Sequence, residues 1–113
     1  MEKRERAQGK DAFTMRAVEI IRSIPAGRVT TYGIIAAGAG NRRGARQVAR
    51  ILHSCSEKYG LPWHRVVNRN GGISVRSSMG YLYQRGLLAE EGVLIGSDGK
   101  IDFAEYLWRP EEE

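Results

Sequence analysis

The chain has little of the material from which disulfides, metal sites and membrane spans are built. It contains one cysteine, Cys55, so an internal disulfide is excluded. Its two histidines, His53 and His64, form no recognised zinc spacing with that cysteine, and we expect no metal site. No apolar run approaches the roughly 20 residues that cross a bilayer, and the first residues are charged. We therefore expect a cytoplasmic protein without a membrane partner, associated with the nucleoid if it is bacterial.

Acidic residues are scarce in the middle of the chain. Between Arg16 and Arg85 there are eleven arginines and Lys58, against only Glu19 and Glu57, which leaves a balance of +10. The guanidinium group binds phosphate in a fork and stacks on bases. This basic segment, residues 16 to 85, favours a nucleic acid as partner. A solvated surface charge is the alternative.

The length of 113 residues suits one domain, with one modest core. We place that domain at residues 12 to 110, between a flexible N-terminal tail (1 to 11) and an acidic tail (111 to 113). Apolar spacing predicts helices at residues 12–24, 30–38, 45–54 and 79–91. Short strands are expected at residues 63–68 and 73–76, with a hairpin around Gly99. The predicted fold class is mainly α with small β elements.

Two of the predicted helices are joined by the glycine-rich run GAGNRRG, residues 38 to 44. This arrangement favours a helix-turn-helix, with an ordinary packed helix pair as the alternative. In the second helix, spacing puts four apolar residues on one side and three polar ones on the other: Ala45, Val48, Ala49 and Leu52 against Arg43, Gln47 and Arg50. In the last helix we expect Leu82, Leu87 and Leu88 to point inward.

Four motifs then occur in one order: IPAGRVTTYGIIA (24–36), GARQVARIL (44–52), PWHRVVNRNGGIS (62–74) and LLAEEGV (87–93). Together they resemble the DNA-binding domain of O6-alkylguanine-DNA alkyltransferases, over about residues 13 to 93. The resemblance implies a single winged-helix-like domain that contains the helix-turn-helix.

The family's Pro-Cys-His-Arg motif, whose cysteine accepts the alkyl group, reads here with Trp63 in place of cysteine. This replacement resembles the alkyltransferase-like proteins, which bind alkylated guanine without repairing it. Alkyl transfer needs a thiolate, and an indole is no nucleophile at neutral pH. We therefore expect no catalytic residue, no cofactor and no enzyme. His64 and Glu91 match the family's proton relay and are expected to serve packing and hydrogen bonding.

The resemblance also implies binding roles. Tyr32 matches a tyrosine that presses on the phosphate beside the lesion, and Arg46 matches a finger that replaces the flipped base. Ala45 and Ala49 are small enough to let their helix approach the minor-groove floor. The predicted lesion pocket contains Tyr32, Trp63, Val66 and Arg76, and the predicted DNA contacts are Thr31, Tyr32, Ala45, Arg46, Gln47, Ala49 and Arg50.

The resulting hypothesis is a monomeric sensor of O6-alkylguanine in double-stranded DNA, which marks the lesion for nucleotide excision repair proteins. One alternative is a residual methylated-DNA-protein cysteine methyltransferase that uses Cys55, which stands where the family usually has an asparagine. The other is a sequence-specific helix-turn-helix regulator. That regulator would need a dimer and major-groove contacts, and small residues such as Ala45 and Ala49 read bases poorly.

Overall fold

The computed structural model describes residues 2 to 110, with side chains from residue 12 onward. Met1 and the predicted acidic tail at residues 111 to 113 lie outside the described residues. The described part is mainly helical with one two-stranded sheet, as predicted. Its elements are α1 (Glu2–Ser23), β1 (Thr30–Thr31), α2 (Tyr32–Gly38), α3 (Ala45–Tyr59), a 3-10 turn (Trp63–Arg65), β2 (Val66–Val67), α4 (Ser78–Glu90) and α5 (Phe103–Tyr106). No helix among these is long and apolar enough to span a bilayer.

Helix α1 begins at Glu2, well before the predicted start at residue 12. The added segment is rich in Glu, Lys and Arg, which have high intrinsic helix propensity, so a helix can continue there without an apolar stripe. The backbone of residues 2 to 11 is therefore helical, and the flexibility of this segment stays a prediction. The helix ends at Ser23, just before Pro25, as the sequence predicts.

The sheet joins the segment before α2 to the segment after Trp63. Strands β1 and β2 are parallel, with Thr30 opposite Val66 and Thr31 opposite Val67. The strand predicted at residues 63 to 68 is correct only for Val66–Val67. Its first half is a 3-10 turn, because the amide of Arg65 donates to the carbonyl of Pro62 at 3.0 Å. The strand predicted at residues 73 to 76 is wrong: this stretch pairs with no strand in the described part, and residues 74 to 76 are exposed.

The core has two parts. The larger is formed by α1, α2 and α3 with β2, and it includes Val18, Ile21, Ile35, Val48 and Val66. The smaller lies under the C-terminal segment and consists of Val29, Val67, Leu88, Val93 and Ile101. The two strands of the sheet therefore run between the helix-turn-helix and the C-terminal half of the chain.

The C-terminal segment is tied to the same region by backbone hydrogen bonds. The amide of Val29 donates to the carbonyl of Tyr106 at 2.9 Å, and the amide of Trp108 donates to the carbonyl of Val29 at 2.7 Å. The predicted hairpin around Gly99 is confirmed as a single antiparallel bridge between Ile95 and Ile101.

Helix α4 corrects one expected core position. Leu82, predicted to point inward, is 63% exposed, whereas Gln84 is 2% exposed. The Gln84 amide donates from Nε2 to the carbonyls of His64 at 3.0 Å and Val66 at 3.3 Å. Buried backbone carbonyls need partners, and a glutamine supplies them where leucine cannot. Leu88 is buried as expected, and Leu87 is half-buried.

Candidate nucleic-acid interface

Helices α2 and α3, with the turn between them, form the predicted helix-turn-helix. Thr31 caps α2, because its hydroxyl accepts a hydrogen bond from the amide of Ile34 at 3.1 Å. The turn passes through Gly40 at φ +109°, a conformation that L side chains rarely adopt. It closes at Gly44, where an added Cβ would lie 2.9 Å from the ring of Phe13. Glycine at these two positions therefore determines the path of the turn that joins α2 to α3.

The outer face of α3 carries the features expected of a groove-binding helix. Arg46, Ala49, Arg50 and His53 are exposed, while Val48 is buried. Spacing had grouped Ala49 with Val48, and this is wrong, because Ile51 takes the inward position and turns Ala49 to the outside. A small side chain thus lies between two guanidinium groups, those of Arg46 and Arg50. This is the placement that the resemblance implied for Ala49.

His53 was missed as a member of this surface. A shallow cavity of about 350 Å³ is lined by Ala49, Arg50, His53 and Ser54. His53 follows Ala49 by one helical turn, so the i, i+4 spacing could have placed it on the same face. The sequence had drawn attention to His53 only as a potential metal ligand.

Trp63 lies in the 3-10 turn and is only partly buried. Its ring centroid is 6.2 Å from that of His64, at an interplanar angle of 87°, and 6.0 Å from that of Tyr83, at 36°. Trp63 is not among the buried core residues, so a purely structural core role does not describe it. Tyr83, on α4, is a neighbour that none of the four motifs indicated.

Glu91 joins three segments of the chain behind Trp63. Its carboxylate accepts hydrogen bonds from Arg65 (Nη2 at 2.7 Å, Nε at 3.0 Å), from His64 Nε2 at 2.9 Å and from the amide of Gly27 at 3.1 Å. Arg65 also donates from Nη1 to the carbonyl of Ile24 at 2.8 Å. The hydrogen bonds from Arg65 lower the pKa of Glu91 to about 2, against the opposing effect of burial. The predicted pairing of His64 with Glu91 is therefore present, and Arg65 is a third member that the sequence did not assign.

The remaining predicted pocket residues occupy different settings. Tyr32 is partly exposed at the start of α2, and Arg76 is exposed just before Ser77, the N-cap of α4. Val66 is only 2% exposed and packs in the core, so it lies behind any open surface. Thr31 is likewise buried, and its hydroxyl already caps α2.

A cleft of about 650 Å³ opens elsewhere, between α1, α2 and the C-terminal segment. Its lining includes Ile20, Thr31, Ile34 and Arg109. None of the four predicted lesion-pocket residues lines it. The cleft is therefore a separate feature, and the surface around Trp63 is the one that the motifs identify.

Comparison with known proteins places this geometry among related chains. Residues 12 to 93 match the family model of the 6-O-methylguanine DNA methyltransferase DNA-binding domain. The chain is 44% identical over 104 residues to a DNA base-flipping protein of Escherichia coli, covering 92% of this chain and 80% of the relative. It is 38% identical over 105 residues to alkyltransferase-like protein 1 of Schizosaccharomyces pombe, covering 88% of this chain and 97% of the relative.

The fold is also similar to that of a solved complex. The crystal structure of S. pombe Atl1 with damaged DNA containing O6-carboxymethylguanine superimposes with a TM-score of 0.76 at 39% identity. The match covers 88% of this chain and 97% of that one. The predicted fold, that of the DNA-binding domain of O6-alkylguanine-DNA alkyltransferases, is confirmed.

Proposed function

Since the chain belongs to the alkyltransferase-like family, we propose that it is a non-enzymatic sensor that binds O6-alkylguanine in double-stranded DNA. The names of its relatives support base flipping and damaged DNA as the starting point. The protein binds the duplex, rotates the damaged nucleotide out of the stack and holds it against Trp63. It acts as a monomer in the cytoplasm.

The observation that carries this proposal is the partly exposed Trp63 beside an intact His64–Glu91 pair. Glu91 is engaged by Arg65, His64 and Gly27, so the turn is held in place. What the turn presents is an indole, which has an apolar face for a purine edge or an alkyl group. Its nitrogen lone pair belongs to the aromatic ring and is not available for alkyl transfer. The site is therefore built to bind a lesion and lacks the group that would react with it.

The outer face of α3 supports an approach through the minor groove. Ala49 lets the helix backbone come close to the groove floor, and Arg46, Arg50 and His53 surround it. Arg46, near the helix start, fills the gap left by the flipped guanine. Arg50 contacts a phosphate, as a large share of protein–DNA hydrogen bonds do.

A sensor of this kind does not transfer the alkyl group to itself, so the damaged nucleotide still has to be removed after binding. A protein that holds a lesion without changing it must leave removal of the damaged nucleotide to other enzymes. We therefore assign that step to nucleotide excision repair proteins, which recognise the bound and distorted duplex.

The central test is a titration with matched duplexes that differ only in one guanine or O6-methylguanine. We expect tighter binding to the damaged duplex, and mass spectrometry of the recovered protein should show an unmodified chain. A methyl adduct on Cys55 would instead establish the residual methyltransferase. Equal affinity for both duplexes, with strong binding to one particular undamaged sequence, would establish the regulator.

Arg46→Ala tests base flipping directly. Flipping costs a few kcal/mol, and a side chain that fills the vacated stack offsets part of that cost. The variant should bind damaged duplex much less tightly but lose little affinity for the same lesion in a single strand, where no gap exists. Arg43→Ala is the matched control, since Arg43 is an exposed cation in the turn before α3. Equal losses on both substrates for Arg46→Ala, as expected for Arg43→Ala, would reduce Arg46 to a phosphate contact.

A further inference from the structure

The cleft between α1, α2 and the C-terminal segment contains one charged side chain among its lining residues, that of Arg109. Apart from Thr31, the other lining residues are small or apolar: Ile20, Gly33, Ile34, Ala37, Gly38 and Pro110. Its volume of about 650 Å³ is far larger than the roughly 30 Å³ share of one water molecule. The cleft can therefore take a group of the size of a sugar and a phosphate.

Backbone pairing fixes where Arg109 lies. Leu107 forms a parallel bridge with Val29, and the amide of Trp108 donates to the carbonyl of Val29 at 2.7 Å. The Trp108 side chain packs against the larger core. Because the two segments run parallel, the next pair along is Thr31 and Arg109, and both line the cleft.

The residue after Arg109 is held as well. A Cβ added to Gly38 would lie 2.9 Å from Cδ1 of Ile20 and 3.4 Å from Cγ of Pro110. Glycine at this position therefore allows Pro110 to lie close against α2. Arg109, which is exposed, is thus carried by a backbone that is anchored on both sides.

The Arg109 guanidinium has no carboxylate partner within residues 12 to 110, where the ion pairs all involve Glu91. It is nevertheless surrounded by acidic residues in the sequence, since residues 86 to 113 contain two cations, Lys100 and Arg109, and eight acidic residues. A guanidinium that forms no internal ion pair can bind an anion from outside, and its fork of donors suits a phosphate.

We propose that Arg109 binds a backbone phosphate of the damaged duplex, with the adjoining deoxyribose packed against Gly33 and Ala37. This inference rests on the proposed function and adds a DNA contact from the C-terminal segment, outside the basic segment. The cleft is continuous with the proposed interface, because its lining residue Thr31 and the following Tyr32 are both predicted DNA contacts. Gly33 and Ala37 are exposed and small, so a sugar can approach the backbone of α2.

The first test measures the salt dependence of binding to duplexes with guanine or O6-methylguanine. Arg109→Ala should make the slope of log affinity against log salt shallower by about 0.9 for both duplexes, as expected for one lost phosphate contact. Arg109→Lys should retain the wild-type slope, because it keeps the charge. Lys100→Ala, which removes the other cation of this part of the chain, should also leave the slope unchanged.

A second variant reaches the cleft without changing Arg109. Ala37→Glu places a carboxylate on the exposed face of α2 and should weaken binding to both duplexes about as much as Arg109→Ala. Ala89→Glu adds the same charge at an exposed position of α4 outside the cleft and is the matched control. Circular dichroism of each variant establishes that the fold is intact.

The third test locates the phosphate. A series of duplexes, each with one uncharged methylphosphonate near the lesion, should contain one position at which the wild type loses affinity and Arg109→Ala does not. Loss of affinity at the same positions for both proteins would overturn the contact. An unchanged salt slope for Arg109→Ala would also overturn it, including the cases in which the glutamates at residues 111 to 113 neutralise Arg109 or the cleft serves a protein partner.

Failure of this inference can be distinguished from failure of the proposed function. Equal affinity of the wild type for guanine and O6-methylguanine duplexes would overturn the proposed function, whereas a shallower slope for Arg109→Ala on either duplex would still support the phosphate contact. Preference for the lesion together with an unchanged slope for Arg109→Ala would overturn the Arg109 contact alone.

Discussion

At the scale of single residues, the side chain at position 63 determines whether the site could accept an alkyl group. The Trp63 side chain stands next to His64, which is bonded to Glu91 at 2.9 Å. In the proposed function, the two residues that match the family's relay are therefore close to a side chain that cannot act as a nucleophile. In the proposed function, the His64–Glu91 pair serves to hold the turn that carries Trp63.

Trp63→Cys restores the family's Pro-Cys-His-Arg order. We expect little or no alkyl transfer and weaker lesion binding, because the change removes most of a large side chain and leaves Tyr83 without its ring partner. Mass spectrometry after incubation with methylated duplex measures transfer, and titration measures binding. A single-methyl adduct on residue 63 would show that the tryptophan alone prevents alkyl transfer at this site. Undiminished affinity would show that Trp63 is not a pocket wall.

Thr30 offers a prediction about stability in the centre of the fold. Its side chain is fully buried in β1, and within residues 12 to 110 its hydroxyl has no hydrogen-bond partner. Thr30→Val keeps the shape and removes a desolvated hydroxyl, which should stabilise the protein by about 1 kcal/mol. Thr31→Val is the matched change, and loss of the α2 cap should destabilise by about 1 kcal/mol. Thermal melts that move both variants in the same direction would contradict this assignment.

At the scale of elements, Glu91 holds together the end of α1, the 3-10 turn and the end of α4. Its pKa is lowered from 4.5 to about 2, so the folded state favours the charged carboxylate more than the unfolded state does. This stability is present above pH 4.5 and is lost as the pH falls toward 2. With a side chain only 16% exposed, Glu91 should contribute about 2–3 kcal/mol at neutral pH.

Glu91→Gln tests that linkage. The variant should be less stable than the wild type at pH 7, and the two should converge as the pH approaches 2. Urea unfolding at a series of pH values measures the difference. Glu57→Gln, a change on the exposed surface of α3, should run parallel to the wild type throughout. Parallel curves for Glu91→Gln as well would mean that the carboxylate does not hold these elements together.

The elements also show how far a sequence can predict this fold. Helices with an apolar stripe and a clear stop, such as α2 before its glycine turn and α4 before Gly92, were predicted closely. The errors arose from intrinsic helix propensity at the start of α1, from a tertiary contact in α4 and from local turn bonds before β2. Gln84 displaced Leu82 from the interior by bonding two carbonyls, and local turn bonds replaced a strand at Trp63–Arg65.

Some residues of the candidate site could likewise be predicted from the sequence, and others could not. Trp63, His64 and Glu91 could be assigned from the motifs because their roles depend on residue type, and the structure brings them together. The proximity of Tyr83 to Trp63 could not be predicted, because it depends on how α4 packs against the 3-10 turn, whereas helical spacing could have placed His53 beside Ala49. The contribution of Arg65 to the network was also missed, because the motifs implied a partner for His64 but none for the Arg65 guanidinium.

At the scale of the whole molecule, the basic segment should govern affinity. Its balance of +10 contrasts with +5 for the entire chain, so positive charge is concentrated in the part that contains the helix-turn-helix. Electrostatic attraction of this kind is largely independent of sequence and draws the protein to any duplex. In the proposed function, discrimination then comes from the residues that face the flipped base or fill the gap it leaves, above all Trp63 and Arg46.

If the basic segment contacts phosphates, the affinity for DNA should depend on the salt concentration. Each phosphate neutralised by the protein releases counterions and contributes about −0.9 to the slope of log affinity against log salt. Binding to damaged and undamaged duplexes should therefore weaken steeply and in parallel as salt rises, while their ratio stays constant. Arg50→Ala should make the slope shallower by about one unit for both duplexes. Lys100→Ala, which removes an exposed cation outside the basic segment, should leave the slope unchanged.

Fluorescence titrations across salt concentrations measure these slopes. A flat response would mean that the basic segment is only a solvated surface, and a lesion preference that fell with salt would mean that charge takes part in discrimination.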